Sequence, residues 1–210
     1  MVSGYIVKIR SWLSNFFAKK KDVKLGLYGP PNSGKSTLAN KITKDWLGEE
    51  MSSVSPIAHE TREIIIKENI TLESNGKKLS FNLVDTPGIA TKIDFEDFVK
   101  KGMRAAKAKQ RAKEATKGVI ESIKWLDKMD AVLVVLDSTT NPINQVNLTI
   151  LGNLEARGIP VLIVANKVDL RKASATKIRE AFPQYEVVGV SARNGTNIDG
   201  LYKKLFDILN

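Results

Sequence analysis

The sequence predicts an α/β domain with a six-stranded, mostly parallel β-sheet, one antiparallel edge strand and helices on both faces. Short apolar runs of strand length alternate with segments that have apolar residues at helical spacing, a pattern typical of parallel sheets covered by helices. Residues 63–73 and 78–84 are instead two consecutive strand-like runs around an Asn75-Gly76 turn, which predicts a hairpin and the antiparallel edge. With 210 residues, of which 42% are hydrophobic, the chain can bury a substantial core.

A glycine-rich loop follows the first predicted strand, at residues 23–28. Residues 29–36 read Gly-Pro-Pro-Asn-Ser-Gly-Lys-Ser, which fits the phosphate-binding pattern G-x-x-x-x-G-K-S between a strand and a helix. Its glycines let backbone N–H groups turn toward phosphate oxygens, and the helix N-terminus adds partial positive charge. Lys35 supplies a full charge, and the Ser36 hydroxyl is a natural Mg²⁺ ligand. The loop predicts a three-layer P-loop NTPase fold. Its predicted nucleotide-binding residues are Asn32, Ser33, Gly34, Lys35, Ser36 and Thr37.

A second motif, Asp85-Thr86-Pro87-Gly88, follows an alternating run at 79–84 that is typical of a strand. The Asp85 carboxylate can hold a Mg²⁺-bound water, because Mg²⁺ keeps several waters and uses one or two carboxylates. The Gly88 backbone N–H can reach a γ-phosphate and move when that phosphate leaves. The motif therefore predicts the metal and switch side of a nucleotide site.

The motif Asn166-Lys167-Val168-Asp169 predicts which base the nucleotide has. It follows the apolar run 159–165, which is typical of a buried strand. The Asp169 carboxylate can accept hydrogen bonds from the ring N–H and amino group of guanine, whereas adenine has neither donor there. Asn166 can bridge the base and the phosphate loop, and the Lys167 stem can cover the base plane. Ser191-Ala192 can present a backbone N–H to the guanine carbonyl oxygen. The ordered motifs therefore predict GTP and GDP as ligands.

With these motifs in this order, the chain resembles the TrmE/Era/EngA-like branch of the translation-factor-related GTPases. The resemblance also rests on Glu60-Thr61-Arg62-Glu63 and on the run 130–137, and it covers about residues 23–209. It implies a molecular switch that hydrolyses GTP, with Ser36, Thr61 and Asp85 around Mg²⁺ and with Lys35, Thr61 and Gly88 as catalytic residues. A final helix is predicted at 198–206, and we expect no counterpart of the RNA-binding domain that is appended in Era.

Two positions bear on how GTP would be hydrolysed. Ile89 stands where a Ras-like protein has the Gln that orients the attacking water, so hydrolysis of that type is excluded. GTP hydrolysis is then either slow, or it depends on a catalytic group supplied in another way. Asn32 stands where members of this branch use Asn to coordinate K⁺ beside the phosphates. Either a K⁺ ion stabilises transition-state charge there, or Asn32 simply tolerates the backbone geometry of the loop.

Two classes of function stay open. The first is a Mg²⁺-dependent GTPase switch, which Thr61 and Asp85 favour. The second is a nucleotide-binding interaction module that hydrolyses GTP negligibly and acts on RNA, the ribosome or a membrane surface. Ile89 keeps this alternative open.

The net charge of +10 is concentrated in two segments outside the nucleotide motifs. Residues 1–24 and 92–128 each carry a net charge of +5, which indicates partners with negative charge. We divide the chain into a basic amphipathic helix at 1–21 and a G domain at 22–210, which includes a basic switch II helix at about 95–128. The first helix either lies on a membrane surface or docks on protein. The second is either a solvated face or a contact for RNA or the ribosome.

The composition excludes cysteine chemistry and gives no sign of a membrane-spanning or secreted protein. The chain has no cysteine, which rules out disulfides and cysteine-based metal sites. It has no apolar run long enough for a transmembrane helix and no recognisable signal peptide, so we expect a cytoplasmic protein, peripheral to a membrane if the N-terminal helix binds one. His59 is the only histidine and has no carboxylate partner in view, so we interpret it as incidental.

Overall fold

The computed structural model of the chain describes residues 23–48, 63–74, 77–90, 95–100 and 102–209. Within them, six strands form one sheet in the order β2-β3-β1-β4-β5-β6. All neighbouring pairs are parallel except β2 and β3, so the predicted sheet with one antiparallel edge strand is confirmed. The strands are β1 Val23–Tyr28, β2 Ile65–Ser74, β3 Lys77–Asp85, β4 Ala131–Asp137, β5 Val161–Asn166 and β6 Glu186–Gly189.

The predicted hairpin is formed by β2 and β3, and it contains an irregularity. The pairing register shifts between Lys67 and Ile70. Asn69, inside this shift, has a φ of +59° and donates its backbone N–H to Asn82 Oδ1 at 2.9 Å. Asparagine tolerates the left-handed region better than most residues, and bulges of this kind are common in edge strands.

Helices cover both faces of the sheet, as predicted for a three-layer fold. Apolar residues of α1 and α6 pack on one face, and those of α3, α4 and α5 pack on the other. The central strand β4 is buried over its first six residues because both layers cover it. The helices are α1 Lys35–Leu47, α2 Phe95–Lys100, α3 Ala105–Trp125, α4 Gln145–Ala156, α5 Ala175–Ala181 and α6 Ile198–Leu209, with a short 3₁₀ turn at Leu126–Lys128.

The basic helix predicted at about 95–128 is interrupted in the structure, which has two helices there, α2 and α3, followed by the 3₁₀ turn. Gly102 has a φ of +88° and donates its N–H to the Val99 carbonyl at 2.8 Å, while Met103 donates to Phe98 at 3.1 Å. A left-handed glycine with such bonds ends a helix. The lysines of α3 are exposed as expected, but Arg111 is only 4% exposed.

The topology brings the carboxyl ends of β1, β3, β4 and β5 to one edge of the sheet, where ligands bind in open α/β folds. In the part of the chain that is described, no helix is long and apolar enough to cross a membrane. The predicted helix at 1–21, Thr61 and His59 lie outside the described residues.

Candidate nucleotide-binding site

The phosphate loop joins β1 to α1 and is held open by its glycines. Gly34 has a φ of +95°, and a Cβ there would lie 2.2 Å from Asn166 Nδ2. A Cβ on Gly29 would lie 2.2 Å from the Val135 carbonyl oxygen. Asn32, between them, has a φ of +60° and is exposed. The loop thus needs glycine at both positions, and its conformation also suits asparagine.

The start of α1 differs from the starts of α4 and α5. In α4, Asn144 Oδ1 accepts the Asn147 N–H at 3.0 Å, and in α5 Ser174 accepts from Lys177. Helix α1 begins after Gly34, which has no side chain that could cap it. An N-terminus without a side-chain cap presents backbone N–H groups and partial positive charge, and this one follows the phosphate loop.

Lys35, the first residue of α1, is buried beneath the loop with 6% exposure. Its Nζ donates a hydrogen bond to the Pro30 carbonyl oxygen at 2.9 Å. Burial lowers the pKa of this ammonium to about 8, although the nearby Asp85 carboxylate acts in the opposite direction. Lys35 is therefore a desolvated cation whose charge would be stabilised by an added anion.

The Asp85-Gly88 motif packs directly against the phosphate loop. Asp85 is fully buried at the end of β3, and Thr86 Oγ1 donates to the Leu27 carbonyl at 2.6 Å. A Cβ on Gly88 would lie 2.8 Å from both Cα and N of Pro31 and 3.2 Å from Lys35 Nζ. Only a glycine permits this approach, so the structure places Gly88 beside the predicted phosphate-binding lysine.

Ile89 is anchored away from the surface. Its N–H donates to the Gly29 carbonyl at 3.1 Å, and its side chain is 4% exposed in the hydrophobic core on the α3–α5 face of the sheet. Because the Ile89 side chain is buried in the core, the position after Gly88 makes apolar contacts and offers no polar group to the site.

Asn166 joins the base side of the site to the phosphate loop. Its Nδ2 donates to the Ser33 carbonyl at 2.9 Å, and its Oδ1 accepts the Ala192 N–H at 3.0 Å. Asn166 is 3% exposed and lies at the end of β5. One buried amide therefore connects three predicted motifs that are far apart in the sequence. The Ala192 N–H, which was predicted to meet the guanine carbonyl oxygen, is donated to Asn166 Oδ1 in this structure.

The rest of the predicted base site lies next to Asn166. Lys167 has a φ of +67°, and Asp169 is exposed in the turn that follows. Val168 donates its N–H to the Val190 carbonyl at 3.2 Å, which ties this turn to the segment before Ser191. Ser191 is fully buried and its hydroxyl donates to Asn194 Oδ1. The two predicted base motifs are thus adjacent in space.

A family model described as 50S ribosome-binding GTPase matches residues 24–167, which is more than half of the chain. The chain belongs to this GTPase family. GTPase Der of Maridesulfovibrio salexigens is 29% identical over 77% of this chain and 31% of its own length. GTPase Era of Rickettsia conorii is 32% identical over 88% of this chain and 47% of its own length. The predicted resemblance to Era-like GTPases is confirmed.

A solved structure of Era in complex with MgGDPNP and nucleotides 1506–1542 of 16S ribosomal RNA has the same fold. It aligns with a TM-score of 0.68 and 24% identity, over 90% of this chain and 57% of that one. The chain spans about a third to a half of the length of the two curated relatives. The predicted P-loop NTPase fold is confirmed, and the match is to the GTPase domain of longer proteins.

The oxygen atoms near Lys35 show whether the site fits Mg²⁺. Among the described residues, no group of three or more His, Cys, Asp or Glu side chains could hold a metal alone. Asp85 is nevertheless buried close enough to Lys35 to affect its pKa, and Ser36 follows Lys35 in the first turn of α1. One carboxylate and one hydroxyl beside the predicted phosphate loop fit Mg²⁺, which nucleotide sites bind through one or two carboxylates and the phosphates.

Three residues of the site were not predicted from the sequence. Asp137 binds Lys167, Ser138 binds the Asn166 carbonyl, and Thr139 binds Asp137. Asp137 is the last residue of β4, Ser138 and Thr139 follow it directly, and the register pairs Asp137 with Asn166. Their signal in the sequence is a polar run at the end of a buried strand that neighbours the Asn-Lys-x-Asp strand.

Proposed function

We propose that the chain is a molecular switch that binds GTP and hydrolyses it to GDP and phosphate in a Mg²⁺-dependent reaction. The observation that carries the proposal is the Asn166 side chain, which connects Ser33 of the phosphate loop to Ala192 of the base site. A guanine nucleotide bound across this bridge would have its phosphates at Lys35 and its base at Asp169.

The roles of the residues follow from their surroundings. Lys35 gives its charge to the β- and γ-phosphate oxygens, which replace the Pro30 carbonyl as its partner. Gly88 offers its backbone N–H to the γ-phosphate at the place where it meets Pro31. Backbone and lysine donors aimed at developing charge in a buried site are the main source of catalysis in phosphoryl transfer. Asp169 selects guanine, while Ser33 and Thr37 flank the phosphates.

Mg²⁺ is the proposed metal, held by Ser36, Asp85 and Thr61. A Mg²⁺ ion held there would neutralise negative charge that develops on the phosphates. The Asp85 carboxylate would hold the metal, and Ser36 presents its hydroxyl from the first turn of α1. The role of Thr61 is proposed from the sequence motif alone.

The activation of the attacking water depends on positions 89 and 32. Ile89 is committed to the core, so turnover without a further group should be slow. Asn32 is exposed on the phosphate loop, where its side chain can bind K⁺, but its left-handed φ gives a structural reason for asparagine as well. We propose that K⁺ bound at Asn32 stimulates GTP hydrolysis.

A second candidate function, an RNA- or ribosome-binding module with negligible hydrolysis, is favoured by one face of α3. Four exposed lysines lie on the face opposite the buried stripe that contains Ala115 and Ser122. Helical geometry spaces most of them by about 6 Å along the axis, so they form a ridge of positive charge suited to a phosphate backbone. The lysines of this ridge are Lys109, Lys113, Lys117 and Lys124.

This ridge is connected to the nucleotide site. Ser122 of α3 donates its hydroxyl to the Pro87 carbonyl at 3.2 Å, and its own carbonyl accepts the Tyr28 hydroxyl at 2.9 Å. A shift of Gly88 with the γ-phosphate would therefore act on α3 through Pro87. The family description and the Era complex with ribosomal RNA support RNA as the anionic partner. We also propose that residues 1–21 contact a membrane or a protein, and that the chain acts in the cytoplasm.

Single-turnover hydrolysis of GTP tests the two candidates against each other. We expect Mg²⁺-dependent release of phosphate, faster in K⁺ than in Na⁺ at equal ionic strength, and lost in Lys35→Ala. Asn32→Ala should remove the preference for K⁺ while hydrolysis in Na⁺ is kept. Nucleotide binding without any phosphate release, measured with and without ribosomes, would favour the interaction module instead.

A further inference from the structure

The loop that follows β4 is fastened to the guanine-recognition motif by several bonds. Ser138 donates both its N–H and its hydroxyl to the Asn166 carbonyl, at 3.0 and 2.6 Å. The Ser138 carbonyl accepts the Ser174 N–H at 2.8 Å, beyond the motif. Ser138 is 3% exposed, so these bonds are shielded from water. The loop is thus bonded to the first residue of the motif, Asn166, and to Ser174 at the end of the turn that follows the motif.

Asp137, the last residue of β4, holds the side chain of Lys167. Its Oδ2 lies 2.6 Å from Lys167 Nζ. Its Oδ1 accepts both the N–H and the hydroxyl of Thr139, at 2.9 and 2.6 Å. With each carboxylate oxygen engaged, the carboxylate cannot rotate to release the ammonium without breaking bonds to Thr139. The direction of the Lys167 side chain is therefore fixed from its far end.

The charge of this pair is protected as well. Burial by itself raises the pKa of Asp137, but its hydrogen bonds with Lys167 and Thr139 outweigh burial and hold the pKa below its ordinary value. The side chains of Asp137 and Lys167 are 18% and 29% exposed, which is less than for a typical surface ion pair. A pair in this environment keeps its geometry better than one in open water.

We propose that Asp137 is a positioning residue for guanine-nucleotide binding, which acts by holding Lys167 so that the hydrocarbon stem of the lysine lies along the base. The inference rests on the proposed guanine site and adds a residue that contacts no nucleotide itself. A lysine whose ammonium is already bound loses less conformational freedom when a base packs on its stem. Asp137 thereby supplies affinity for the base and leaves the phosphate chemistry unchanged.

The test is a double-mutant cycle on GDP affinity, measured by calorimetry with the full chain. Asp137→Asn keeps the size of the side chain and an oxygen for Thr139 but removes the charge that binds Lys167. We expect it to weaken GDP binding on the order of 3- to 10-fold. Lys167→Met should weaken it similarly, and adding Asp137→Asn to Lys167→Met should change nothing further. Penalties that multiply in the double variant would overturn the proposal.

Two further variants keep the test decisive. Asp127→Asn removes the carboxylate of a more exposed ion pair, 2.8 Å from Arg157, and should leave GDP affinity unchanged. Thr139→Val removes one of the bonds to Asp137 and should weaken GDP binding in the same direction but less. In hydrolysis assays, Asp137→Asn should raise KM for GTP while kcat stays the same. Wild-type GDP affinity in Asp137→Asn would refute the positioning role, whereas a wild type that binds no GDP would refute the proposed function instead.

Discussion

The two ends of the nucleotide site are built differently. At the base end, Asn166 is bonded to Ser33 and Ala192, Lys167 is bonded to Asp137, and Ser138 is bonded to the Asn166 carbonyl. At the phosphate end, Lys35 is buried with a lowered pKa and donates to a backbone carbonyl. The base end therefore has its polar groups paired with one another, while the phosphate end holds a cation that a phosphate would bind better than its present partner does.

This difference matches what each end must do. The base is the same in GTP and GDP, so a rigid base end would improve selectivity without opposing the proposed switch between the two states. The phosphates differ between the two states, so the phosphate end must respond to one added group. The contact between Gly88 and Pro31 is the place where such a response would begin.

The largest expected effect at the phosphate end is that of Lys35→Ala. Removal of a desolvated cation should lower GTP binding or turnover by roughly 100-fold or more. Thermal stability should not fall, because burial disfavours the charged lysine in the folded protein. Hydrolysis at the wild-type rate in a folded Lys35→Ala variant would refute the role of this lysine.

Gly34→Ala should damage both ends at once. Its Cβ would lie 2.2 Å from Asn166 Nδ2, and the residue has a φ of +95°. The clash would disrupt the buried Asn166 hydrogen bonds, which costs about 1–3 kcal/mol, or about a 5- to 150-fold loss of GDP affinity. Gly48→Ala is a matched control, because Gly48 also has a positive φ but a Cβ there meets nothing within 4 Å. Equal GDP affinity in both variants would show that the contact with Asn166 is unimportant.

Gly88→Ala should separate the two nucleotide states. The added Cβ would press on Pro31 and Lys35 and displace the N–H that is proposed to meet the γ-phosphate. We expect a non-hydrolysable GTP analogue to lose about tenfold or more in affinity, while GDP loses less. Titrations of both nucleotides measure the ratio. An equal loss for the two would mean that Gly88 shapes the loop and does not sense the γ-phosphate.

The pH dependence of binding provides the mildest perturbation of the phosphate end. The pKa of Lys35 is about 8, and an adjacent phosphate should raise it. Above pH 8 the lysine must therefore take up a proton when nucleotide binds, so GDP affinity should fall as pH rises, by at most about tenfold per unit. Calorimetry in buffers of different ionisation enthalpy would reveal the proton uptake. Lys35→Arg should bind without it, since arginine stays charged.

The fold was largely predictable from the sequence because apolar runs and motifs agree with one another. The strand before Gly29 and the apolar run before Asn166 each predict a buried strand that ends at the site, and both predictions are confirmed. The break between α2 and α3 was missed because a single glycine, Gly102, is compatible with a helix until tertiary contacts decide otherwise.

The predicted site residues were identified through motifs with an assigned role, whereas Asp137 lay in the run 130–137 without such a role and Ser138 lay outside the motifs. Asp137 and Ser138 act through Lys167 and Asn166, which lie about thirty residues further along the chain. Only the parallel pairing of β4 with β5 brings these residues together. A sequence pattern identifies side chains that meet a ligand, but a side chain that holds another side chain is identified from the fold.

The measurement that tests the central claim most directly compares GDP with ADP, by calorimetry, in the wild type and in Asp169→Asn. In the proposed site the base lies beside a carboxylate that only guanine can satisfy, so GDP should bind far more tightly than ADP. In Asp169→Asn this preference should be reduced, because the amide can no longer accept both hydrogen bonds from guanine. Equal affinities of the wild type for GDP and ADP would contradict the account.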